Sequence, residues 1–371
     1  MKSLAIVLGT RPEIIKLAPI ILALRENRHF APRVIFSGQH DSMAEQVFSA
    51  FGFLPDTRLN LMRANQTPNS LLGLLLPALE QTLLEIPPSG VLVQGDTSTA
   101  LGAAVCAFHL KIPVAHIEAG LRTGDPLSPF PEEMNRVLIS RLASLHFCHT
   151  TTADSNLERE GISSGRYVVG NTVIDALLWI QDKLNRAAIA LQPDVAALNL
   201  KAKKILLVTG HRRENFDLPI RNLCRTLIKL AAEIPDLEIV YPVHLNPNVQ
   251  QTVHAELAKV GRIHLIPPVD YPSFVALMSA SALIITDSGG VQEEAPTLGK
   301  RVLVTRTNTE RPEAVELGCS EVFPLDKPDA LFERAIKLLA QPAAEQKVMA
   351  NPYGDGTAAK KIISLLEQVW G

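Results

Sequence analysis

Short apolar runs punctuate this chain, and helix-length stretches separate most of them. The runs are Leu4–Thr10, Val34–Phe36, Gly90–Asp96, Val114–Glu118, Leu145–Phe147 and Tyr167–Val169, then Ile205–Thr209, Glu238–Tyr241, Ile263–Ile266, Ala282–Thr286 and Val302–Thr305. Most lack polar alternation, which predicts strands buried on both faces, as parallel sheets require. Strands alternating with helices predict an α/β chain built on parallel, doubly wound sheets. Pro12 stands where a first helical turn tolerates proline, so a helix is expected from Glu13. The Leu-rich stretch Leu71–Leu84 is interrupted by Pro77, Glu80 and Gln81. It predicts a kinked core helix, too short to span a bilayer.

Residues from about 175 to 203 read as helical and then polar, ending in Lys201-Ala-Lys-Lys204. A link between two αβ domains of similar size is expected there. The length of 371 residues, too great for one ordinary core, supports the same division. Hydrophobic residues at 47% and charged residues at 20% describe a globular chain and exclude a disordered one. Lys plus Arg (36) nearly balances Asp plus Glu (38), so broad binding to nucleic acid or to an acidic membrane is not expected. Cys106, Cys148, Cys224 and Cys319 are widely spaced, which fits reduced thiols in a cytoplasmic protein. The first residues lead straight into a strand, so no signal peptide is expected.

Polar residues gather just beyond the predicted carboxyl ends of the strands: Arg11, His40, Asp96, Glu118, His211, His244 and Ser288. Open α/β sheets bind ligands along that edge, and positions from both halves predict a shared cleft. The most informative stretch is Thr286-Asp-Ser-Gly-Gly-Val-Gln-Glu-Glu-Ala-Pro-Thr-Leu-Gly299. Ser288, Gly289 and Gly290 are expected to turn a buried strand into a helix ending near Gly299. Unpaired backbone N–H groups without side chains suit a phosphate, and Glu293 and Glu294 suit a ribose diol. The stretch reads as the seat of a nucleoside diphosphate; the plainer reading is a turn capped by Ser288.

The acidic set is Asp96, Glu118, Glu132 and Glu133, the last two after a loop bearing Pro126, Pro129 and Pro131. Taken singly, Asp96 reads as a helix N-cap, Glu118 as a buried ion-pair partner and Glu132 as a first-turn carboxylate. Taken together, and with Arg122 and Arg136 close in sequence, they suit acid–base work on an uncharged sugar. Positive charge for a phosphate is available from Arg11, Lys16, His211 and Arg311. His109 and His116 read as core or helix-packing histidines. Without an HExxH, a CxxC or a carboxylate cluster of metal spacing, no metal is expected. A Walker loop and a Gly-x-Ser-x-Gly elbow are absent as well.

Gly9-Thr-Arg-Pro-Glu13, Gly38-Gln-His40, Gln94-Gly-Asp-Thr97, His116-Ile-Glu-Ala-Gly-Leu-Arg-Thr123, Pro129-Phe-Pro-Glu-Glu133 with Asn135-Arg136, Gly170-Asn-Thr-Val-Ile-Asp175 and Gly210-His-Arg-Arg-Glu-Asn215 follow one another along the chain. So do Tyr241-Pro-Val-His-Leu-Asn-Pro247, Thr286-Asp-Ser-Gly-Gly290, Thr309-Glu-Arg-Pro-Glu313 and Asn351-Pro-Tyr-Gly-Asp-Gly356. In this order they resemble the non-hydrolysing UDP-N-acetylglucosamine 2-epimerases. The resemblance implies a glycosyltransferase-B-like fold of two Rossmann-like domains, residues 1–175 and 176–356, with a helix at 357–371 returning to the first. It implies reversible interconversion of UDP-N-acetylglucosamine (UDP-GlcNAc) and UDP-N-acetylmannosamine, in bacterial envelope and capsule precursor pathways. UDP would leave to give 2-acetamidoglucal and then add back, in a homodimer that needs no cofactor.

Carried over residue by residue, the resemblance makes Asp96, Glu118 and Glu132 the acid–base carboxylates, without assigning them to faces of C2. Arg136 matches a residue important for activity and His211 one that contacts the diphosphate. Arg11, Lys16, Phe274, Ser288, Gly289, Gly290, Glu294 and Arg311 fall to the UDP site, Phe274 against uracil and Glu294 on the ribose. A hydrolysing relative, a retaining glycosyltransferase and a UDP-sugar sensor without turnover are the competing readings. Many bacterial members bind a second UDP-GlcNAc beside the active site, and here the pattern departs. Gln39, His40, Arg212 and His244 are in place, but Asp41 stands where Arg is usual and Asn65 precedes Gln66-Thr67. Losing charge-assisted contacts worth about 1.5–3 kcal/mol each should weaken that second site.

Overall fold

The structure, a computed structural model, describes residues 1–38, 42–63, 66–200, 203–210, 215, 217–341 and 351–371. The chain forms two compact units, Met1–Trp179 with Tyr353–Gly371, and Ile180–Pro352. The division falls inside a helix, after Trp179, and the segment that returns to the first unit begins at Tyr353.

In the first unit, β1 (Lys2–Leu8), β2 (Phe30–Phe36), β3 (Thr57–Arg58), β4 (Gly90–Gln94), β5 (Val114–Ala119), β6 (Leu145–Cys148) and β7 (Arg166–Val168) form one sheet. Its order is β3-β2-β1-β4-β5-β6-β7, and every pair is parallel. Leu4–Leu8 and Val91–Val93 are fully buried, which explains their unbroken apolar runs. The crossovers are α1 (Arg11–Arg25), α2 (Ser42–Phe51), α3 (Pro68–Glu85), α4 (Ser98–His109), α5 (Glu132–Leu142) and α6 (Thr151–Arg159), followed by α7 (Thr172–Asn185). Thr67, Thr97 and Thr150 cap α3, α4 and α6, each hydroxyl accepting a bond from a first-turn N–H. Helix α3 is the Leu-rich stretch with Pro77 inside. Among the described residues no helix is long and apolar enough to cross a membrane.

The second unit continues with α8 (Pro193–Ala196), β8 (Lys204–Thr209), α9 (Leu218–Glu233), β9 (Leu237–Pro242), α10 (Pro247–Leu257), β10 (Ile263–Ile266), α11 (Tyr271–Ala280) and β11 (Ser281–Thr286). After it come α12 (Gly289–Glu294), β12 (Val302–Val304), α13 (Pro312–Glu316), β13 (Ser320–Val322) and α14 (Pro328–Ala340). The sheet order is β10-β9-β8-β11-β12-β13, again wholly parallel. Both sheets start at an inner strand, build outward and then reverse, between β1 and β4 and between β8 and β11. That is the Rossmann order, and such reversals are where open sheets bind ligands. Of the four edge strands, β3 and β13, two and three residues long, carry too little pattern to be expected from sequence.

The last helix, α15 (Ala358–Trp370), belongs to the first unit. The Asp175 carboxylate caps it, accepting bonds from the N–H groups of Ala358 (3.3 Å) and Ala359 (2.9 Å). Asn27 donates to Glu367 (2.8 Å), and Lys2 donates to the carbonyls of Trp370 and Gly371 (2.7 Å each). The Trp370 ring lies so close over Gly90 that a Cβ there would sit 2.3 Å from it. Because its carboxylate accepts two N–H bonds of the first turn, Asp175→Ala should loosen this end by about 1–2 kcal/mol. Urea unfolding should show that loss, with amide exchange rising first in α15; unchanged protection of α15 would contradict the capping role.

Candidate functional site

In the first unit, β1 and β4 deliver two loops to the point where the strand order reverses. After β1, the Glu13 carboxylate gathers the N–H groups of Gly9 (3.1 Å) and Thr10 (2.7 Å) and the hydroxyls of Thr10 and Thr97 (2.7 Å each). Burial pushes its carboxyl above the usual range, opposed by those bonds. This clasp fixes the start of α1 against the start of α4. Arg11, the first residue of α1, is half-buried, and its guanidinium lies 3.8 Å from the Met43 sulfur.

After β4, Asp96 lies in the turn before α4. It does not cap that helix, because Thr97 does. Arg136 instead holds Asp96 Oδ2 through Nε (2.8 Å) and a terminal nitrogen (2.7 Å), and Asn135 donates to the Asp96 carbonyl (2.8 Å). Behind the turn, buried His116 bonds the Gly95 carbonyl (2.7 Å). Glu118 sits at the end of β5 with φ +64°, where the register with β6 shifts between Ile117 and Ala119. Such a bulge re-aims a side chain at the cost of backbone strain. Its Oε2 accepts bonds from Lys16 and Gln94 (3.1 Å from the latter). Glu118 is thus paired with Lys16, the lysine expected near a phosphate.

Glu132 opens α5 and makes no hydrogen bond with the described residues. Glu133 behind it is buried and committed, accepting from the N–H groups of Thr123 and Gly124 (3.0 and 3.1 Å) and from Arg136 (2.8 Å). Burial raises the Asp96 carboxyl above the ordinary range; Arg136 pulls it down, and the negative charges of Glu118 and Glu132 push it up. The three predicted acids are thus brought into mutual electrostatic reach. Asp96 Oδ1, Glu118 Oε1 and both Glu132 oxygens accept no bond from the described residues, so each acid keeps an oxygen for a ligand. Arg122 is not part of the group: it pairs with Glu160 (2.7 and 2.9 Å). His109 is exposed on α4 rather than packed, whereas His116 is in the core.

In the second unit, Thr286 Oγ1 meets Thr209 Oγ1 at 2.5 Å, joining β11 to β8 at its reversal. Ser288 precedes α12, and its side chain makes no cap bond, so the capped-turn reading fails. The helix runs to Glu294 and tightens into a 3-10 turn, ending at Gly299 with φ +69°. The Arg311 guanidinium lies on Gly289, where a Cβ would stand 2.7 Å from its central carbon. Arg311 donates to Glu293 (3.0 Å) and to Glu310 (2.8 Å). Glu293 is consequently held by Arg311 rather than presented to a ribose. Glu294 accepts a bond from the Tyr271 hydroxyl (2.5 Å), and Phe274 stands half-buried one turn further along α11. Exposed His244 follows β9 and accepts a bond from the Asn246 N–H (3.1 Å). His211, Gln39, His40, Asp41, Asn65 and Arg212 lie outside the described residues.

Gln94 and Asn135 entered the sequence reading only as motif positions without a role, and Tyr271 did not enter it. Gln94 did carry a signal, as the one polar residue of the apolar strand run Val91–Gln94. Asn135 and Tyr271 did not, because their roles depend on partners 39 and 23 residues away.

Comparison with known proteins follows the same line. The family model described as UDP-N-acetylglucosamine 2-epimerase matches residues 22–367. The UDP-N-acetylglucosamine 2-epimerase of Escherichia coli O157:H7 is 45% identical over 367 residues, 97% of each chain. The structure of the Neisseria meningitidis UDP-GlcNAc 2-epimerase bound to UDP-GlcNAc is 42% identical, with TM-score 0.91, covering 99% of this chain and 100% of that one. An S. aureus MnaA–UDP structure is 39% identical with TM-score 0.89, covering 99% and 96%.

The buried imidazoles around this site give a pH signature. Desolvation lowers His116 to about 3 and His146 to about 4, so both stay neutral in the native state. The unfolded chain binds those protons near pH 6.5, so native stability falls as pH drops from there toward the native values. Each histidine should cost about 2 kcal/mol between pH 7 and pH 5. His146→Leu should flatten that fall in urea unfolding series; an unchanged slope would place the neutral histidine elsewhere.

Proposed function

The chain belongs to the UDP-N-acetylglucosamine 2-epimerase family, and on that premise we propose that it interconverts UDP-GlcNAc and UDP-N-acetylmannosamine without releasing free sugar. The carrying observation is the trio Asp96, Glu118 and Glu132, each with an oxygen unclaimed by the described residues. The C2 proton of the sugar is not activated by a carbonyl. Breaking the C1–O bond, with its electrons leaving on UDP, builds positive charge on the ring and makes that proton removable. One carboxylate takes it, giving 2-acetamidoglucal and UDP. A second acid then delivers a proton to the opposite face of C2 while a UDP oxygen re-forms the bond to C1. Arg136 and Lys16 keep their carboxylates oriented between the two half-reactions.

The nucleotide falls to the second unit in this reading, with uracil on Phe274, ribose on Glu294 and diphosphate on the backbone of Ser288, Gly289 and Gly290. Arg311 contributes by packing on Gly289, and Arg11 and His211 complete the set. UDP-GlcNAc and UDP in the related structures support the same ligands. Retention of UDP separates this route from the hydrolysing alternative, in which UDP and free N-acetylmannosamine would appear.

Proton NMR of the purified protein with UDP-GlcNAc in D2O should show deuterium entering C2 of both epimers, with the sugar still attached to UDP. Free N-acetylmannosamine as the accumulating product would overturn the non-hydrolysing route. Asp96→Asn, Glu118→Gln and Glu132→Gln should each cut turnover by roughly 10²–10⁴-fold. UDP affinity, measured by calorimetry, should stay near that of the unaltered protein. Undiminished turnover in all three would remove the trio from the chemistry.

A further inference from the structure

We infer that Tyr271 is a positioning residue that holds Glu294 for a ribose diol and thereby makes the site prefer ribonucleotides over 2′-deoxyribonucleotides. The inference rests on the reading of Glu294 as the ribose acceptor. Tyr271 is the first residue of α11, 3% exposed, and Glu294 is the last of α12, 5% exposed. The 2.5 Å bond between hydroxyl and carboxylate is short, as expected where the acceptor is charged.

The donor is itself fixed. Asp270 caps α11 by accepting from the Ser273 N–H (2.8 Å), Pro272 stiffens the first turn, and Gln192 accepts from the Asp270 N–H (3.2 Å). Tyr271 engages Glu294 Oε1, while Oε2 lies 3.7 Å from the point a Cβ on Gly290 would occupy. The carboxylate is therefore turned with one oxygen toward the tyrosine and the other beside the Ser288–Gly290 turn. Phe274, one turn along the same helix, is the residue assigned to the base. A single capped helix thus sets both the ring that meets uracil and the donor that fixes the ribose acceptor.

A carboxylate held in one orientation discriminates strongly, because a missing hydroxyl leaves its lone pairs underused. Released from Tyr271, it can turn toward water and loses less when the 2′-hydroxyl is absent. The test is calorimetric titration of UDP and 2′-deoxy-UDP against the unaltered protein, Tyr271→Phe and Glu294→Gln. The unaltered protein should prefer UDP by about 10–100-fold, a modest share of what buried hydroxyl-reading sites achieve. Tyr271→Phe should weaken UDP roughly tenfold and 2′-deoxy-UDP less than about threefold, so the preference shrinks. With UDP-GlcNAc, KM should rise about as much as the UDP affinity falls, and kcat should change far less.

Equal weakening of both ligands in Tyr271→Phe would show a merely structural hydroxyl and overturn the proposal. So would an unchanged affinity for UDP. Glu294→Gln, which retains the shape of the side chain, should narrow the preference independently; a full preference in that variant also defeats the proposal. If the unaltered protein binds both ligands alike, ribose reading by Glu294 fails while the epimerase reading stands. Failure to bind UDP at all would instead sink the nucleotide assignment itself.

Discussion

A parallel sheet covered on both faces leaves polar side chains very few places to collect. Its strands must be apolar along their length, and each crossover returns the chain to the same starting edge. Loops at the opposite edge are then the first positions where charge can stand. In the first unit this constraint puts Thr10, Asp96 and Glu118 at the ends of β1, β4 and β5, and in the second it puts Thr286 and Ser288 at the end of β11. The sites are not added to a finished scaffold. The same burial that makes Leu4–Leu8 and Val91–Val93 invisible to water decides where the carboxylates emerge.

Emergence at an edge is still costly when the edge is half-buried. Desolvation raises the Asp96 carboxyl, and two neighbouring carboxylates raise it further, so one strong partner is needed to hold it. Arg136 supplies that partner, and Glu133 in turn holds Arg136. Glu118 is treated differently, with Lys16 and Gln94 gripping one oxygen and a left-handed backbone aiming the other. In both cases the ion pair occupies one oxygen of the acid and leaves its second oxygen available. An ion pair of this kind orients a reactive group more than it stabilises the fold, since the desolvation of both partners consumes most of the attraction.

The sequence reading located most strands, because buried parallel strands leave an unbroken apolar signature that short edge strands such as Thr57–Arg58 lack. It singled out Asp96 and Glu118 because strand ends are fixed in sequence, and Glu132 from the proline-bearing loop before it. Pairings between distant residues were not legible in it. Asp96 looked like a cap, yet the next residue, Thr97, reaches the first turn of α4 better. Glu293 looked like a ribose ligand, but Arg311, eighteen residues on, claims it. Lys16 looked like a phosphate ligand, while Glu118, 102 residues away, holds it. Sequence proximity likewise suggested Arg122 beside the acids, whereas its planar fork fits the Glu160 carboxylate through two bonds.

The charge of the first cluster matters for the proposed chemistry. Around Asp96 stand four carboxylates, Asp96, Glu118, Glu132 and Glu133, with two cations, Lys16 and Arg136. In the second unit, among the described residues, Glu293 and Glu310 pair with Arg311 and Arg306, and buried Asp287 and Glu294 flank the Ser288–Gly290 turn. A negative cluster favours a sugar ring that becomes cationic as its C1–O bond breaks, and it favours a proton shared among its acids. A diphosphate leaving group suits a surface whose donors are backbone N–H groups. Gly289 and Gly290 offer such a surface, and Arg311 packed on Gly289 shapes it while its charge is balanced by its own carboxylates. Retaining UDP, rather than attracting it strongly, is what distinguishes epimerisation from hydrolysis. Under the proposed chemistry, a seat of backbone donors whose neighbouring arginine is already paired would hold the leaving UDP without binding the intermediate so tightly that re-addition stalls.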